Sequence, residues 1–138
     1  MRIFISKHQV SGLKIIFKYD FNGVMRSLEF DGEWTADQVQ KITAKIPLNS
    51  EQILTDIANQ KPYSKWIFSE VTDVSFLAFY KRYPKKVGRK EQTEKIYNKL
   101  SDADKMDAFL YITELIKLKS DGTAFPYPAT YLNQKHWR

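Results

Sequence analysis

The sequence predicts a small α+β protein, with strands near the start of the chain and helices through its second half. Residues 13–19 place apolar side chains at every second position, which is typical of a half-buried strand. Between Ser101 and Gly122, apolar side chains instead recur at helical spacing over the longest amphipathic stretch of the chain. With 138 residues, 43% of them hydrophobic, the chain can bury a core as one domain or as two very small ones.

Three strands are predicted within the first 30 residues. Residues 13–19 and 26–30 form the two arms of a β-hairpin. Asn22 and Gly23 lie between the arms and predict a two-residue turn, since both residue types tolerate a positive φ. Residues 2–6 contain alternating isoleucines and are expected to add a third strand. Such a small sheet needs a helix across one face to bury its apolar side chains.

Two short helices follow and are expected to cover that face. Thr35, with Gln38 three residues later, is the signature of a capping box, and Pro47 stops the helix that it opens. Ser50 marks the start of the second helix. The apolar stripe of this second helix consists of Ile53, Leu54, Ile57 and Ala58.

Residues 61–70 are aromatic and irregular, and two interpretations of them stay open, a packed connection and a short strand. Beyond Glu70 the pattern becomes helical and basic. We therefore predict a small α+β unit at residues 1–70 and a helical, basic unit at residues 71–138.

The second unit is predicted to contain three helices and an ordered aromatic tail. Thr72 caps the first helix, and Pro84 ends it because the residue before a proline is driven out of the helical region. The second helix, residues 89–100, is polar, with Glu91 and Lys95 spaced for an i,i+4 ion pair.

The third helix is the predicted core of this unit. Ser101 and Asp104 resemble a capping box in which Asp replaces Glu, and Gly122 provides a C-terminal stop. Its inward stripe consists of Met106, Phe109, Ile112, Leu115 and Ile116.

Composition argues against most catalytic chemistry. Without cysteine, the chain has no disulfide, no thiolate nucleophile and no cysteine-ligated metal. It contains no glycine-rich phosphate-binding motif and no nucleophile-elbow motif, and its two histidines, His8 and His136, lie near opposite ends. We expect a protein that is not an enzyme and has no cofactor or metal. The sequence shows no secretion signal or membrane span, which predicts a cytoplasmic protein without a membrane partner.

The net charge is concentrated in one part of the chain. The formal charge is +6, yet residues 1–70 contribute only +1. Residues 81–100, called the basic segment below, hold eight basic and two acidic side chains, so their net charge of +6 equals that of the whole chain. Cations interleaved with aromatic rings are typical of nucleic-acid interfaces, where the cations neutralise phosphates and the rings stack on bases.

We therefore predict a DNA-binding site, arranged like a helix-turn-helix, in the basic segment. Its candidate residues are Lys81, Arg82, Tyr83, Lys85, Lys86, Arg89, Lys90 and Lys95. The cations would hold phosphates, and Tyr83 would stack on a base. The alternative is that Phe79 and Tyr80 belong to the core while the lysines and arginines form only a solvated surface.

Residues 125–138 carry too much aromatic surface for a frayed terminus. Two prolines fix an extended approach, and Thr130 is predicted to open a short helical turn. Two roles stay open for this tail: docking onto the preceding helices, expected for Tyr131, Leu132 and Trp137, and contact with a partner. The residues assigned to docking or partner binding are Tyr127, Tyr131, Asn133, Gln134, Lys135, Trp137 and Arg138.

Three strings in this half of the chain together resemble the C-terminal segment of many phage and prophage DNA-replication proteins. They are the aromatic and basic run at residues 76–90, Lys-Leu-Ser at residues 99–101, and Pro-Ala-Thr-Tyr-Leu-Asn-Gln followed by Trp137. Similar strings recur in the same order in that group. The resemblance implies a replication-initiator or helicase-loader accessory that acts on DNA or on the replicative helicase, in the cytoplasm of a bacterial cell or a phage-infected host.

The resemblance covers residues 76–137 and does not extend upstream. Proteins of that group more often carry a winged-helix or other initiator domain before this segment, so origin-specific binding is not expected here. The alternative function is an adaptor that docks on a replicative helicase or a host protein through its aromatic tail. A third option, inhibition of a host nucleic-acid enzyme by acidic mimicry of DNA, is disfavoured by the basic segment.

Overall fold

The fold is α+β, as the sequence predicts, and the chain divides into two units. The computed structural model describes residues 1–138 and contains four strands and six helices. The first unit is Met1–Asp73 and the second is Val74–Arg138, whereas the sequence placed the division after Glu70. None of the helices combines the length and the apolar character needed to cross a bilayer.

The first unit is built on a four-stranded antiparallel sheet. Its strands are β1 (Arg2–His8), β2 (Lys14–Tyr19), β3 (Met25–Asp31) and β4 (Trp66–Glu70), in the order β3-β2-β1-β4. The expectation of three strands is one short, because residues 66–70 pair with β1. Of the two interpretations left open for residues 61–70, the short strand is the one that the structure contains.

The β2–β3 hairpin is present, but the predicted two-residue turn is wrong. Asp20 and Val24 close a longer loop, in which the Asp20 amide donates a 2.8 Å hydrogen bond to the Val24 carbonyl oxygen. The Asp20 carboxylate accepts further hydrogen bonds from the amides of Asn22 and Val24, at 2.9 and 3.0 Å. Within this loop only Gly23 has a positive φ, of 89°. Local bonding from an Asp side chain to the backbone therefore replaces the tight Asn-Gly turn.

Two helices, α1 (Ala36–Thr43) and α2 (Ser50–Asn59), pack on one face of the sheet. The predicted capping box is confirmed, since Thr35 Oγ1 accepts from the Gln38 amide at 3.2 Å and Gln38 Oε1 accepts from the Thr35 amide at 2.9 Å. The cap of α2 is Asn49, one residue before Ser50. The buried core of this unit consists of Phe4, Ile15, Phe17, Tyr19 and Ile53.

The second unit contains four helices, one more than predicted. They are α3 (Phe76–Arg82), α4 (Lys90–Asn98), α5 (Asp102–Leu118) and α6 (Pro128–Asn133). Helix α6 lies in the tail and begins at Pro128 rather than Thr130, because the fixed φ of proline suits a first helical position. Ser75 caps α3, not Thr72. The Thr72 hydroxyl instead belongs to the first unit, where it donates a hydrogen bond to the Glu70 carboxylate.

Buried aromatic rings form the core of the second unit. Phe79, Tyr83, Tyr97 and Tyr131 are 0% exposed, and the centroids of neighbouring rings lie 4.8 to 6.2 Å apart. The hydroxyl of each tyrosine donates to a backbone carbonyl oxygen, so burial leaves none of the three unpaired. Because Tyr131 belongs to α6, the tail is part of this core.

Candidate nucleic-acid interface

The basic segment runs from the end of α3 through a loop into α4. Helix α3 ends at Arg82, ahead of Pro84, and Gly88 adopts a φ of 98° shortly before α4 begins at Lys90. The loop therefore separates cations at the C-terminus of α3 from cations at the N-terminus of α4. Cations at the C-terminus of α3 are favourable, because a helix C-terminus carries partial negative charge.

Four cations of the segment extend into solvent without a carboxylate partner. They are Lys81, Arg89, Lys95 and Lys99, of which Lys99 is not among the predicted binding residues, and none of them forms an ion pair. The predicted Glu91–Lys95 pair does not form. An exposed pair at this spacing contributes only about 0.3–0.5 kcal/mol, so its absence costs the helix little.

Three further lysines contact neutral groups of the protein. Lys85 Nζ lies 4.7 Å from the centroid of the Tyr127 ring, and Lys90 Nζ lies 5.4 Å from that of Tyr80. Lys86 Nζ donates a 2.8 Å hydrogen bond to the carbonyl oxygen of Tyr83. These contacts orient the ammonium groups but leave their positive charge uncompensated by any carboxylate.

Arg82, predicted to hold a phosphate, points into the protein instead. Its Nε donates a 3.1 Å hydrogen bond to the Phe109 carbonyl oxygen, and its Nη2 donates to Thr113 Oγ1. The guanidinium also lies 5.2 Å from the centroid of the Phe109 ring. Burial lowers the pKa of Arg82. Arg82 thus joins α3 to α5, and its place in the predicted DNA site is not supported by its geometry.

Tyr83, predicted to stack on a base, is fully buried. Its ring packs on Phe79 and Tyr131, and its hydroxyl donates a 2.7 Å hydrogen bond to the Pro126 carbonyl oxygen. Burial raises its pKa well above the ordinary range. With no exposed ring face, Tyr83 cannot stack on a base in this structure. The core interpretation that the sequence left open applies to Phe79 as well.

The start of α4 concentrates positive charge. Arg89 occupies the N-cap position but its side chain makes no capping hydrogen bond, and Lys90 is the first helical residue. A helix N-terminus carries partial positive charge, so each cation there costs roughly 0.3–1 kcal/mol. Glu91, in the same turn, offsets part of this cost. The cations at this position therefore lower the stability of α4 slightly and give its N-terminus an exposed positive surface.

The last residues of the tail are held by one carboxylate, that of Asp104 in the first turn of α5. This carboxylate accepts hydrogen bonds from Lys135 Nζ at 3.5 Å, from Trp137 Nε1 at 3.4 Å and from Arg138 Nη2 at 3.2 Å. Desolvation alone would raise the pKa of Asp104, but the hydrogen bond from Trp137 and the two cations hold it below the ordinary value. The Ser101 cap is present, whereas the reciprocal arm of the predicted capping box is not.

The predicted tail residues therefore divide into two groups. Tyr131 and Trp137 bind within the second unit, as the docking interpretation expects. Lys135 and Arg138, for which that interpretation made no such prediction, also contact Asp104 there. Arg138 nevertheless remains exposed, as do Tyr127, Asn133 and Gln134. Sequence reasoning missed Asp104 as the anchor, because its position in a helix start indicated only a cap. It also missed Thr113 and Phe109 as partners of Arg82, for which the sequence carries no signal.

No three His, Asp or Glu side chains come together in an arrangement that could hold a metal ion. The fold and the site define a small α+β protein whose second unit is helical and basic. Residues 71–135 match the family model described as the Legionella vir region protein LvrA C-terminal domain. This match covers most of the second unit, and it is to a C-terminal domain family and not to phage replication proteins. No curated protein and no solved structure matches the chain.

Proposed function

We propose that the second unit binds DNA without catalysing a reaction, by holding backbone phosphates, and that the protein is an accessory of phage or mobile-element replication. The binding residues are Lys81, Lys85, Lys86, Arg89, Lys90 and Lys95. The observation that carries the proposal is that none of these six cations is paired with a carboxylate. Unpaired cations gain most from phosphate, since binding releases the counterions condensed on the DNA.

The geometry favours contacts to the backbone over contacts to bases. Arg82 and Tyr83, the residues best suited to read or stack on a base, are held inside the unit. Phosphate contacts position a protein on a duplex but carry no sequence information. The proposed binding is therefore independent of sequence and strongly dependent on salt.

The replication context rests on the resemblance of three ordered strings to phage and prophage replication proteins. Those strings include the exposed Asn133 and Gln134 as well as the buried Tyr131. The matching family model adds that a C-terminal domain of this kind occurs in a protein of a vir region. Neither names a substrate for this chain, so the DNA-binding step is the one to test first.

The test is fluorescence anisotropy with a labelled duplex at several salt concentrations. A variant carrying Lys81→Gln, Arg89→Gln and Lys95→Gln removes three of the six proposed cations, chosen because their side chains contact no other group of the protein. Each lost phosphate contact makes the slope of log K against log salt shallower by about 0.9, so the slope measured for the variant should be shallower by roughly 2.7. The matched control carries Lys7→Gln, Lys61→Gln and Lys65→Gln in the first unit, which removes the same charge. If the control changes the slope as much as the variant does, the basic segment is not the interface.

A second candidate function, an adaptor for a replicative helicase, is favoured by the exposure of the tail motif. Tyr127 is 49% exposed, and Asn133 and Gln134 also face solvent. A variant with Tyr127→Ala, Asn133→Ala and Gln134→Ala leaves the core intact and tests this surface against a purified helicase. Removing the whole tail would not separate the two functions, because it deletes Tyr131 from the core. If helicase binding survives these three alanines, the adaptor function does not use this surface.

A further inference from the structure

The inner face of the sheet in the first unit is not fully covered by its helices. A cavity of about 370 Å³ lies between strands β1, β2 and β4 and helices α1 and α2. Its apolar walls are formed by Ile15, Phe17, Ile42, Ile46, Trp66 and Phe68. Cavities of roughly 300–1,000 Å³ with mostly apolar walls are typical binding sites for small molecules.

Ser6 explains why space is left at this point. It lies within β1, in register between Ile15 of β2 and Phe68 of β4, and it lines the cavity. A larger side chain at this position would fill the space. Ser6 is only 2% exposed, so its short side chain forms part of the cavity wall.

The wall beside Ser6, formed by β4, is held in place by hydrogen bonds from a side chain to the backbone. Gln60, just after α2, donates from Nε2 to the Phe68 carbonyl oxygen at 2.9 Å and accepts from the Phe68 amide at 2.8 Å. Both halves of this amide are therefore occupied. The end of α2 is thereby fixed to β4, and this part of the cavity wall is pre-formed rather than left to close on a ligand.

Two side chains of opposite charge also line the cavity. Lys45 follows α1, and Asp56 lies in α2. Both are exposed, and neither has an ion-pair partner, so they do not neutralise each other. The cavity thus combines apolar walls with one unpaired cation and one unpaired anion. A molecule with an apolar body and a head group of both charges is complementary to all three.

We propose that this cavity binds a free amino acid with an apolar side chain. The apolar walls receive the side chain, Lys45 the carboxylate and Asp56 the ammonium group. The volume corresponds to about a dozen water molecules at ~30 Å³ each, which suits leucine or phenylalanine. The proposal concerns the first unit and does not depend on DNA binding by the second.

The test is a titration of the full chain followed by the amide signals in two-dimensional NMR. The probes are L-phenylalanine, 3-phenylpropionate, which lacks the ammonium group, and phenethylamine, which lacks the carboxylate. We expect saturable binding of L-phenylalanine, with shifts at residues that line the cavity. Each one-charge probe should bind at least about tenfold more weakly, because hydrogen bonds to charged groups are worth that much or more. N-acetyl-phenylalaninamide, which carries no charge, should also bind at least about tenfold more weakly.

Two variants locate the site. Ser6→Leu fills the floor of the cavity and should abolish binding of L-phenylalanine. Lys45→Gln is a surface change that keeps the fold, and it should weaken L-phenylalanine at least about tenfold without weakening phenethylamine, whose ammonium group gains nothing from Lys45. Lys61→Gln, outside the cavity, is the control for charge. The proposal is overturned if L-phenylalanine gives no saturable shifts, if N-acetyl-phenylalaninamide binds equally well, or if Lys45→Gln binds L-phenylalanine like the unaltered chain.

Discussion

Removing the hydroxyl of Tyr131 separates the structural role of the tail from any role in binding. This hydroxyl is buried and donates a 2.7 Å hydrogen bond to the Ala108 carbonyl oxygen in α5. In Tyr131→Phe the ring keeps its contacts with Phe79, Tyr83 and Trp137, at centroid distances of 5.2 to 6.2 Å. Only the hydrogen bond is lost, at a net cost of about 1 kcal/mol.

In a unit as small as Val74–Arg138, this cost lowers the melting temperature by about 4–8 °C. Tyr131→Ala removes the ring as well and should cost about 3–5 kcal/mol. That amount is comparable with the whole stability expected for so small a unit, at roughly 0.05–0.15 kcal/mol per residue. The alanine variant should therefore lose the folded second unit.

Thermal unfolding followed by circular dichroism measures both changes, and DNA binding is measured at a temperature where Tyr131→Phe is folded. We expect the phenylalanine variant to bind DNA like the unaltered chain. If Tyr131→Ala melts within a few degrees of the unaltered chain, the tail does not belong to the core. If Tyr131→Phe loses DNA binding without losing stability, the hydroxyl acts in binding and the packing argument is refuted.

Three other predictions follow from individual contacts. Arg82→Gln should lower the melting temperature, because it breaks the hydrogen bond to the Phe109 carbonyl oxygen. It should not change the salt dependence of DNA binding: the slope should equal, within experimental error, that of Lys105→Gln, a control outside the proposed site. Acidification should loosen the last residues of the tail, 135–138, while Tyr131 stays in the core. The pKa of Asp104 is lowered by folding, so its stabilising contribution is complete above about pH 4 and is lost as the pH falls through the lowered pKa. The amide signals of residues 135–138 in NMR would report this change with pH, and Asp104→Asn would abolish it. Gly23→Ala should destabilise the first unit by about 1 kcal/mol or more, because φ is +89° and the new Cβ would lie 2.9 Å from Ser50 Oγ. Urea unfolding measures this loss, and a stability equal to that of the unaltered chain would contradict the loop geometry.

Local sequence signals predicted local structure well. The period of two in residues 13–19 and the Thr35–Gln38 pair need only neighbouring residues to take effect, and both are confirmed. The turn at Asn22-Gly23 failed although its signal is also local, because the Asp20 carboxylate competed for the same amides. The conformation of a turn depends on every polar group that can hydrogen-bond to its backbone, and here Asp20, outside the Asn-Gly motif, determined the loop.

Contacts between distant residues could not be predicted. Whether Arg82 faces DNA or Thr113 depends on how α3 packs on α5, and a cation near aromatic residues is compatible with both. Strand β4 was left open for the same reason, since only its pairing with β1 makes residues 66–70 a strand. Charge density located the basic segment, but burial decided which of its residues can reach a ligand.

The salt dependence of duplex binding tests the central claim most directly. If the six unpaired cations hold six phosphates, log K should fall with log salt with a slope of about −5, a loss of roughly 10³-fold between 50 and 200 mM salt. The Lys81→Gln, Arg89→Gln, Lys95→Gln variant should bring that slope to about −2.7, with the first-unit control unchanged. A slope near zero for the unaltered chain, or an equal slope for chain and variant, would contradict the account.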